Sequence, residues 1–501
     1  MKKSFKHTQK AIFLFFLSWI LISSVQAGLN KGYGGKISDK KLNQTEFYGS
    51  EVWVDDDYYD GGYNDGHTWG TDAFDNIQDG IDNVTDAGIV NIREGTYSTF
   101  IVENRNDIEI IGIDITKPII QGNQLAWDST LTTPGFVKCV IFINNSVQIN
   151  FYKIEIQGIN LSGRSYSIYF NGSQGSIYES IISPNERGNM NSIAVRGQLF
   201  SDINIENCTI ENYGRIGIYV RTGSELRAYY NTIIGPYYLA GEGDWVSYGI
   251  EVEDLEYASD AVIRYNEIYN HHHTGNPTWS SAAIIIDAWR YYELTEENCT
   301  AIIEFNNIHN NMIGLQIVPN DEISVNRNKI YDNYDYGAVS DPYWDGQELI
   351  DYPLDAISNW WGHETGPYNE ESNPEGIGDN VTDFVIIEPW IETINPKVTI
   401  TQPEDWFCYI NIKDIWVFKI PCITNLIVGK IEIRAEAPDC LYGVQRVEFY
   451  IDDQLKSVDY TEPYSWSWED KQLLFLYTIK VKVFDNKGNN IYDDIRVWKL
   501  F

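Results

Sequence analysis

One short phrase recurs along the middle of the chain at a spacing that suits a stacked coil. Asn266-Glu-Ile268-Tyr-Asn270, Asn306-Asn-Ile308-His-Asn310 and Asn328-Lys-Ile330-Tyr-Asp332 share it, and Cys208-Thr-Ile210-Glu-Asn212 and Asn231-Thr-Ile233 hold the same register. A turn and then Gly-apolar-x-apolar follow. The shortest spacings, Asn306 to Asn328 and Cys208 to Asn231, are one coil length, and longer ones read as a coil plus a loop. Each unit is two or three strands of period-2 alternation, too short for a helix and too regular for a loop. One unit cannot bury its own apolar face. Stacking places Ile on Ile and lets strands pair in parallel between coils, with Asn at the bends bonding backbone above and below. A leucine-rich repeat would need Leu where Ile stands, and a sandwich has no reason to repeat at a coil length. The expected fold is all-β, with a parallel β-helix as its main body.

Both ends of the repeat region carry further motifs. Val52-Trp-Val54-Asp55-Asp56-Asp57, Phe74-Asp-Asn-Ile77-Gln78-Asp-Gly-Ile81 and Val90-Asn-Ile92-Arg-Glu-Gly95-Thr-Tyr97 resemble the opening of pectate-lyase-like right-handed parallel β-helix proteins. In that family the Phe74-to-Ile81 stretch is a short amphipathic helix capping the open coil. Asn359-Trp360-Trp361-Gly362, Gly366-Pro367, Gly378-Asp379 and Pro389-Trp390 resemble the closing motif of secreted β-helices. Relatives of the periplasmic copper-maturation protein of nitrous oxide reductase are among these. The resemblance spans residues 51–391, where Trp360 and Trp361 are expected to cover the last coil. It implies a fold and no reaction, because lyases, hydrolases, epimerases, adhesins and scaffolds share it. Past Pro396 the texture changes to short strand-like runs. Val447-Glu-Phe449-Tyr450-Ile451-Asp452-Asp453, Pro463-Tyr464 and Val483-Phe-Asp485-Asn-Lys-Gly488-Asn489 are similar to bacterial and archaeal immunoglobulin-like domains. Residues 396–501 are therefore expected to form an immunoglobulin-like β-sandwich.

The rest of the sequence points outside the cell. Lys2, Lys3, Lys6 and Lys10 precede an apolar run from Ala11 to Ile22, and Val25-Gln26-Ala27 offers a cleavage site. Residues 1–27 read as a secretory signal peptide and 28–50 as a linker. The run is short for a bilayer span, so no stable membrane insertion is expected, with an uncleaved anchor as the alternative. A formal charge of −36 repels a phosphate backbone and argues against nucleic acid. It suits a neutral or basic ligand, or a polyanion bridged by metal ions. No CxxC pair occurs among the six cysteines, which disfavours a zinc or redox motif. In an exported chain two of Cys408, Cys422 and Cys440 are expected to pair, and Cys208 to be a small buried thiol on the ladder.

A ligand would meet the outer faces of the coils. Aligning the strand after each turn on its small residue puts Ser167, Ser192, Gly217, Gly249, Ala283, Gly314 and Gly337 in one column. The following column, Ile168, Ile193, Ile218, Ile250, Ile284, Leu315 and Ala338, should point inward. The next should face solvent: Tyr169, Ala194, Tyr219, Glu251, Ile285, Gln316, Val339. Two residues on, Asn171, Arg196, Arg221, Glu253, Asp287, Val318 and Asp341 face out again. Coils stack about 4.8 Å apart, so Arg196, Arg221, Glu253 and Asp287 would form one exposed line, with Glu251 beside Glu253. Insertions flank this sheet, bringing Trp245 and Trp279 on one side and Trp289, Tyr291 and Trp344 on the other. With Tyr219 they would make an aromatic-lined groove in which sugar rings stack and charged groups hold hydroxyls. The plainer alternative is a set of solvated ladder charges, worth little to stability, under aromatics that pin loops down.

The expected function is binding of an extracellular polysaccharide or glycan by a secreted or cell-surface protein, with no cofactor required. Two rivals stay open. One is a polysaccharide lyase or glycoside hydrolase working through Arg196, Arg221, Glu251, Glu253 and Asp287. The other is an envelope spacer or adhesin. The enzyme reading lacks a motif: the paired Asp and Gly-His-Gly of polygalacturonases and the Arg-x-Pro-x-x-Arg of pectate lyases do not occur. Asp341-Pro342-Tyr343 is the nearest approach to the Asp-Pro-His of mannuronan epimerases. Asp55, Asp56 and Asp57 offer hard oxygens suited to calcium at the opening cap, with a solvated acidic loop as the alternative. His271, His272 and His273 cannot all face one ion and read as an exposed, uncommitted loop.

Overall fold

The computed structural model describes residues 49–129, 135–158, 163–236, 246–253, 257–273, 280–286, 298–320, 322–344, 349–412, 416–438, 440–469 and 475–500. Three sheets of eleven, nine and ten strands dominate it, parallel throughout except for Gln124–Asp128 in the third. Each coil gives one strand to each sheet. Glu225–Tyr229 enters the first, Thr232–Ile234 the second and Tyr248–Val252 the third. The next coil returns through Asp260–Arg264, Glu267–Tyr269 and Ala282–Ile286, each in parallel register on its predecessor. In the second sheet one Ile per coil, from Ile120 through Ile182 and Ile268 to Ile330, stands on the next with no measurable exposure. Burying each stabilises the stack by about 1.5–3 kcal/mol. The expected solenoid is the fold.

Buried polar ladders fix the bends. Asn231, Asn266, Asn306, Asn328 and Asn359 each accept at Oδ1 from the backbone N–H of the preceding rung at 2.9 Å, beginning with Cys208. Their Nδ2 groups donate to carbonyls such as Ile205 and Ala228. Cys208 is the small buried thiol expected at the head of this ladder. A second ladder, invisible in the sequence, runs through Ser146, Ser173, Ser201, Ser224 and Ser259 to Cys299, each hydroxyl accepting the N–H of the rung before. A third joins His271, Asn311, Asn333 and Asp379. The histidine triplet is therefore not an uncommitted loop. His271 is fully buried, with Nδ1 against Asn311 and Nε2 2.5 Å from the Tyr213 hydroxyl. Burial pushes its pKa down to about 4, against the pull of its Asn311 hydrogen bond.

At the opening end the helix Ile77–Asn83 closes the stack. Asn76 caps it by accepting from the Asp79 N–H, and Ile77 and Ile81 join the core beside Phe74. At the other end the two tryptophans part company. Trp361 is fully buried against the last coil, whereas Trp360 lies on the outer side, its ring 5.4 Å from that of Tyr331. Only one of the expected pair caps the core, because neighbours in an extended segment point to opposite sides.

The C-terminal sandwich pairs a three-stranded sheet with a seven-stranded one around Phe449, Trp468 and Val481. Cys408 and Cys422 are disulfide-bonded and Cys440 is buried. The sandwich touches the coils where Arg327 Nη1 donates to the Cys440 carbonyl at 3.1 Å and the Lys487 ammonium lies over Tyr265. Among the described residues no helix is long and apolar enough to cross a membrane.

Candidate functional site

The third sheet differs from the other two in having a second apolar layer on its outer face. Tyr166, Tyr169, Ile193, Ile216, Tyr219, Tyr248, Ile285 and Ile313 form a cluster separate from the interior core. A bend at the column of small residues makes this possible. Ile216 and Tyr248 face out, yet Ile218 and Ile250, two residues later, face in. Gly217 and Gly249 lie at that bend; a Cβ on Gly217 would meet the Gly249 carbonyl at 2.6 Å. The antiparallel hairpin of Gln124–Asp128 on Gly135–Asn144 adds Ala126, Val137 and Cys139 to the same layer.

The expected register holds for six of the seven coils and slips in the other. Ser192 pairs with Ser165, not Ser167, so Ala194 and Val195 are the inward pair. Ile193 joins the outer layer instead, and Arg196 stands beside Tyr219 rather than Arg221. The slip is two residues, so Arg196 keeps its outward direction and moves by one column. Tyr169, Arg196, Tyr219, Glu251, Ile285, Gln316 and Val339 therefore make one column. Arg221 and Glu253 stand in the next.

These groups are not an exposed strip. Arg196 is 1% exposed, Glu251 and Glu253 are each 3%, and Tyr219 is 8%. They are buried on the outer side of the third sheet. The Arg196 guanidinium lies 3.9 Å from the centre of the Tyr219 ring, a desolvated cation–π contact, and its Nη2 donates to Gln198 at 3.1 Å. Gln198 donates in turn to Asp128, which accepts from the Tyr166 hydroxyl at 2.8 Å. On the other side the Tyr219 hydroxyl donates to Glu253 Oε2, and Arg221 Nε lies 3.5 Å from the same oxygen. Glu251 Oε2 is buried with no hydrogen-bond partner. Burial, then the charge of Glu253, raises the Glu251 carboxyl to about 7 against the pull of Arg215, Arg196 and Arg221. Two carboxyls on one face thus differ in environment, one clamped by cation and phenol, the other held near neutrality. This division suits groups that take separate acid and base parts.

Sequence reasoning missed Asp128, Tyr166 and Gln198. Asp128 comes from a hairpin with no repeat signature, and Gln198 was hidden by the slipped register. Asp287, Trp245, Trp279, Trp289 and Tyr291 lie outside the described residues, as does the side chain of Trp344. Asp55, Asp56 and Asp57 do come together, with one carboxylate oxygen from each within 4.8 Å of the others. Asp55 accepts from the Asp57 N–H at 3.0 Å and Asp56 from the Thr96 N–H at 3.1 Å, so two of the three also pin backbone.

Residues 139–286 match the family described as right handed beta helix region, and residues 424–483 the bacterial Ig domain. The chain is a right-handed parallel β-helix protein with a C-terminal immunoglobulin-like domain. No curated protein matches it. Among solved structures it is similar to the Clostridium thermocellum CbhA fibronectin(III)-like modules, at 18% identity and a TM-score of 0.17. That match covers 23% of this chain and 50% of the other, so the chain spans half the length of that structure. A GH136 lacto-N-biosidase from Eubacterium ramulus matches at 12% identity and a TM-score of 0.38, over 68% of this chain and 67% of the other. A tailspike protein of Acinetobacter baumannii bacteriophage Fri1, a capsular polysaccharide depolymerase, matches at 10% identity and a TM-score of 0.31, over 91% and 80%. At these identities and scores the likenesses carry no argument about what this chain does.

Proposed function

We propose that this is an exported protein that binds an extracellular polysaccharide on the outer face of the third sheet. Arg196, Arg221, Glu251 and Glu253 supply the polar floor and Tyr219 its centre. One observation carries the reading: the Arg196 guanidinium and two carboxyls are buried, with the Arg221 side chain only 12% exposed beside them, on the outside of a coil stack whose core needs none of them. Desolvating such groups costs several kcal/mol each, a cost that a binding site explains and a spacer does not. The set has no net formal charge and mixes donors with acceptors, which suits a ligand rich in hydroxyls. In this reading Trp245, Trp279, Trp289, Tyr291 and Trp344 are stacking walls, supplied by insertions that border the same sheet in sequence. Export rests on the leader at residues 1–27.

Affinity electrophoresis of the full chain against a panel of neutral, acidic and amino-sugar polysaccharides tests this. At least one glycan is expected to retard it. Arg221→Met should weaken that binding by more than tenfold, because a largely desolvated charge-assisted contact is lost. Arg227→Met, at the ion pair with Asp202 on the first sheet, should leave it unchanged. Equal effects from both variants would contradict the placement of the site.

A further inference from the structure

We propose that the same floor hydrolyses the glycosidic bond of the polysaccharide it binds, with Glu251 as proton donor and Glu253 as the base that activates water. This rests on the binding reading and goes one step past it.

The two residues are two positions apart, Glu251 in the strand Tyr248–Val252 and Glu253 one residue past its end, and both meet Tyr219, which stands beside Glu251 and donates to Glu253. That spacing sets their Cα atoms roughly 6.6 Å apart. Their surroundings assign the roles. Glu253 receives the Tyr219 hydroxyl and lies 3.5 Å from Arg221 Nε, two contacts that favour its anion. Glu251 has a buried oxygen with no donor to hold a negative charge, and the Glu253 carboxylate on its own strand opposes ionisation. Arg215, Arg196 and Arg221 pull the other way, but burial and the Glu253 charge outweigh them, so the carboxyl holds its proton more tightly than a free one, and a glycosidic oxygen placed against it would be the missing partner. Arg196, stacked on Tyr219, holds that ring in place and is a positioning residue.

The step balances. Glu251 gives its proton to the glycosidic oxygen as the bond from that oxygen to the anomeric carbon breaks. Water bonds to the anomeric carbon from the opposite face and yields one proton to Glu253. The products are two shorter sugars with one new reducing end. Proton exchange with solvent then restores Glu251 as the acid and Glu253 as the anion.

The experiment incubates the full chain with each polysaccharide that retards it and measures new reducing ends, ultraviolet-absorbing unsaturated ends and binding. Reducing ends without unsaturation are expected. Glu251→Gln and Glu253→Gln should each lower the rate at saturating polysaccharide by at least 10²-fold, a loss that weaker binding alone does not produce once the site is filled. The wild-type rate should fall about tenfold per pH unit on the alkaline side, as the acid loses its proton. Glu251→Asp, which keeps a titrating group, should retain that limb at a reduced rate and covers the case in which a Gln variant fails to fold. Binding without new reducing ends overturns the proposal and leaves the binding reading standing. Unsaturated products overturn it in favour of elimination. Cleavage untouched by either Gln variant also overturns it, and failure to bind any glycan overturns both readings.

Discussion

Asn266→Ala is expected to destabilise the coil stack by about 2–6 kcal/mol, a large effect for one polar side chain. Asn266 Oδ1 accepts from both the backbone and the side chain of Asn231 at 2.9 and 3.0 Å. Its Nδ2 donates to the Ala228 carbonyl and to Asn306 Oδ1, each at 2.9 Å. Alanine removes all four bonds and leaves the Asn231 N–H and the Ala228 carbonyl buried without partners. Each stranded group costs about 1–3 kcal/mol. Stacked coils support only their neighbours, so the loss should open the stack locally as well as lower the melting temperature. Limited proteolysis should then find a new cut near residues 231–306. A change under about 1 kcal/mol with no new cut would show that the ladder is not what holds the bend.

Trp361→Ala should cost about 3–5 kcal/mol, the range for removing a large buried aromatic. It should also make the protein associate as its concentration rises. Trp361 is fully buried and closes the last coil; a Cβ at Gly337 would lie 3.2 Å from its ring. Without its ring the stacked aliphatic side chains under the final strands Lys329–Tyr331 and Tyr336–Ser340 are uncovered, and the outer edges of those strands are left with only the short bridges to Trp360 and Val381. Unpaired edges recruit other chains. Trp360→Ala, on the outer side, should change melting little and leave the elution profile monomeric if the wild type is monomeric. Equal effects at the two positions would overturn the assignment of the cap to Trp361 alone.

The coil repeat was legible because its signal is local. An Ile flanked by Asn at bends is written in five consecutive residues, and each rung repeats it. The serine ladder was not, since Ser146, Ser173, Ser201, Ser224 and Ser259 are separated by 27, 28, 23 and 35 residues and share no surrounding phrase. The slip at Ser192 has a related cause. Ser192 and Ala194 are both small, so composition alone does not choose the bend, and only pairing to Ser165 and Ile216 does. The outward direction of Arg196, Glu251 and Glu253 followed from alternation along a strand. Their burial did not, because it depends on Tyr166, Tyr219 and a hairpin more than fifty residues away from Arg196 in sequence. His271 was misread for the same reason: its partners Tyr213 and Asn311 are neighbours only once the coils stack.

The most direct measurement is a crystal structure of the chain with an oligosaccharide cut from the polysaccharide that retards it. Sugar density is expected on the outer face of the third sheet, with an oxygen within hydrogen-bond distance of Glu251 Oε2 and a hydroxyl near Arg221. Density on the first sheet beside Arg227 and Asp202, or on the immunoglobulin-like domain alone, would contradict the placement of the site on the third sheet.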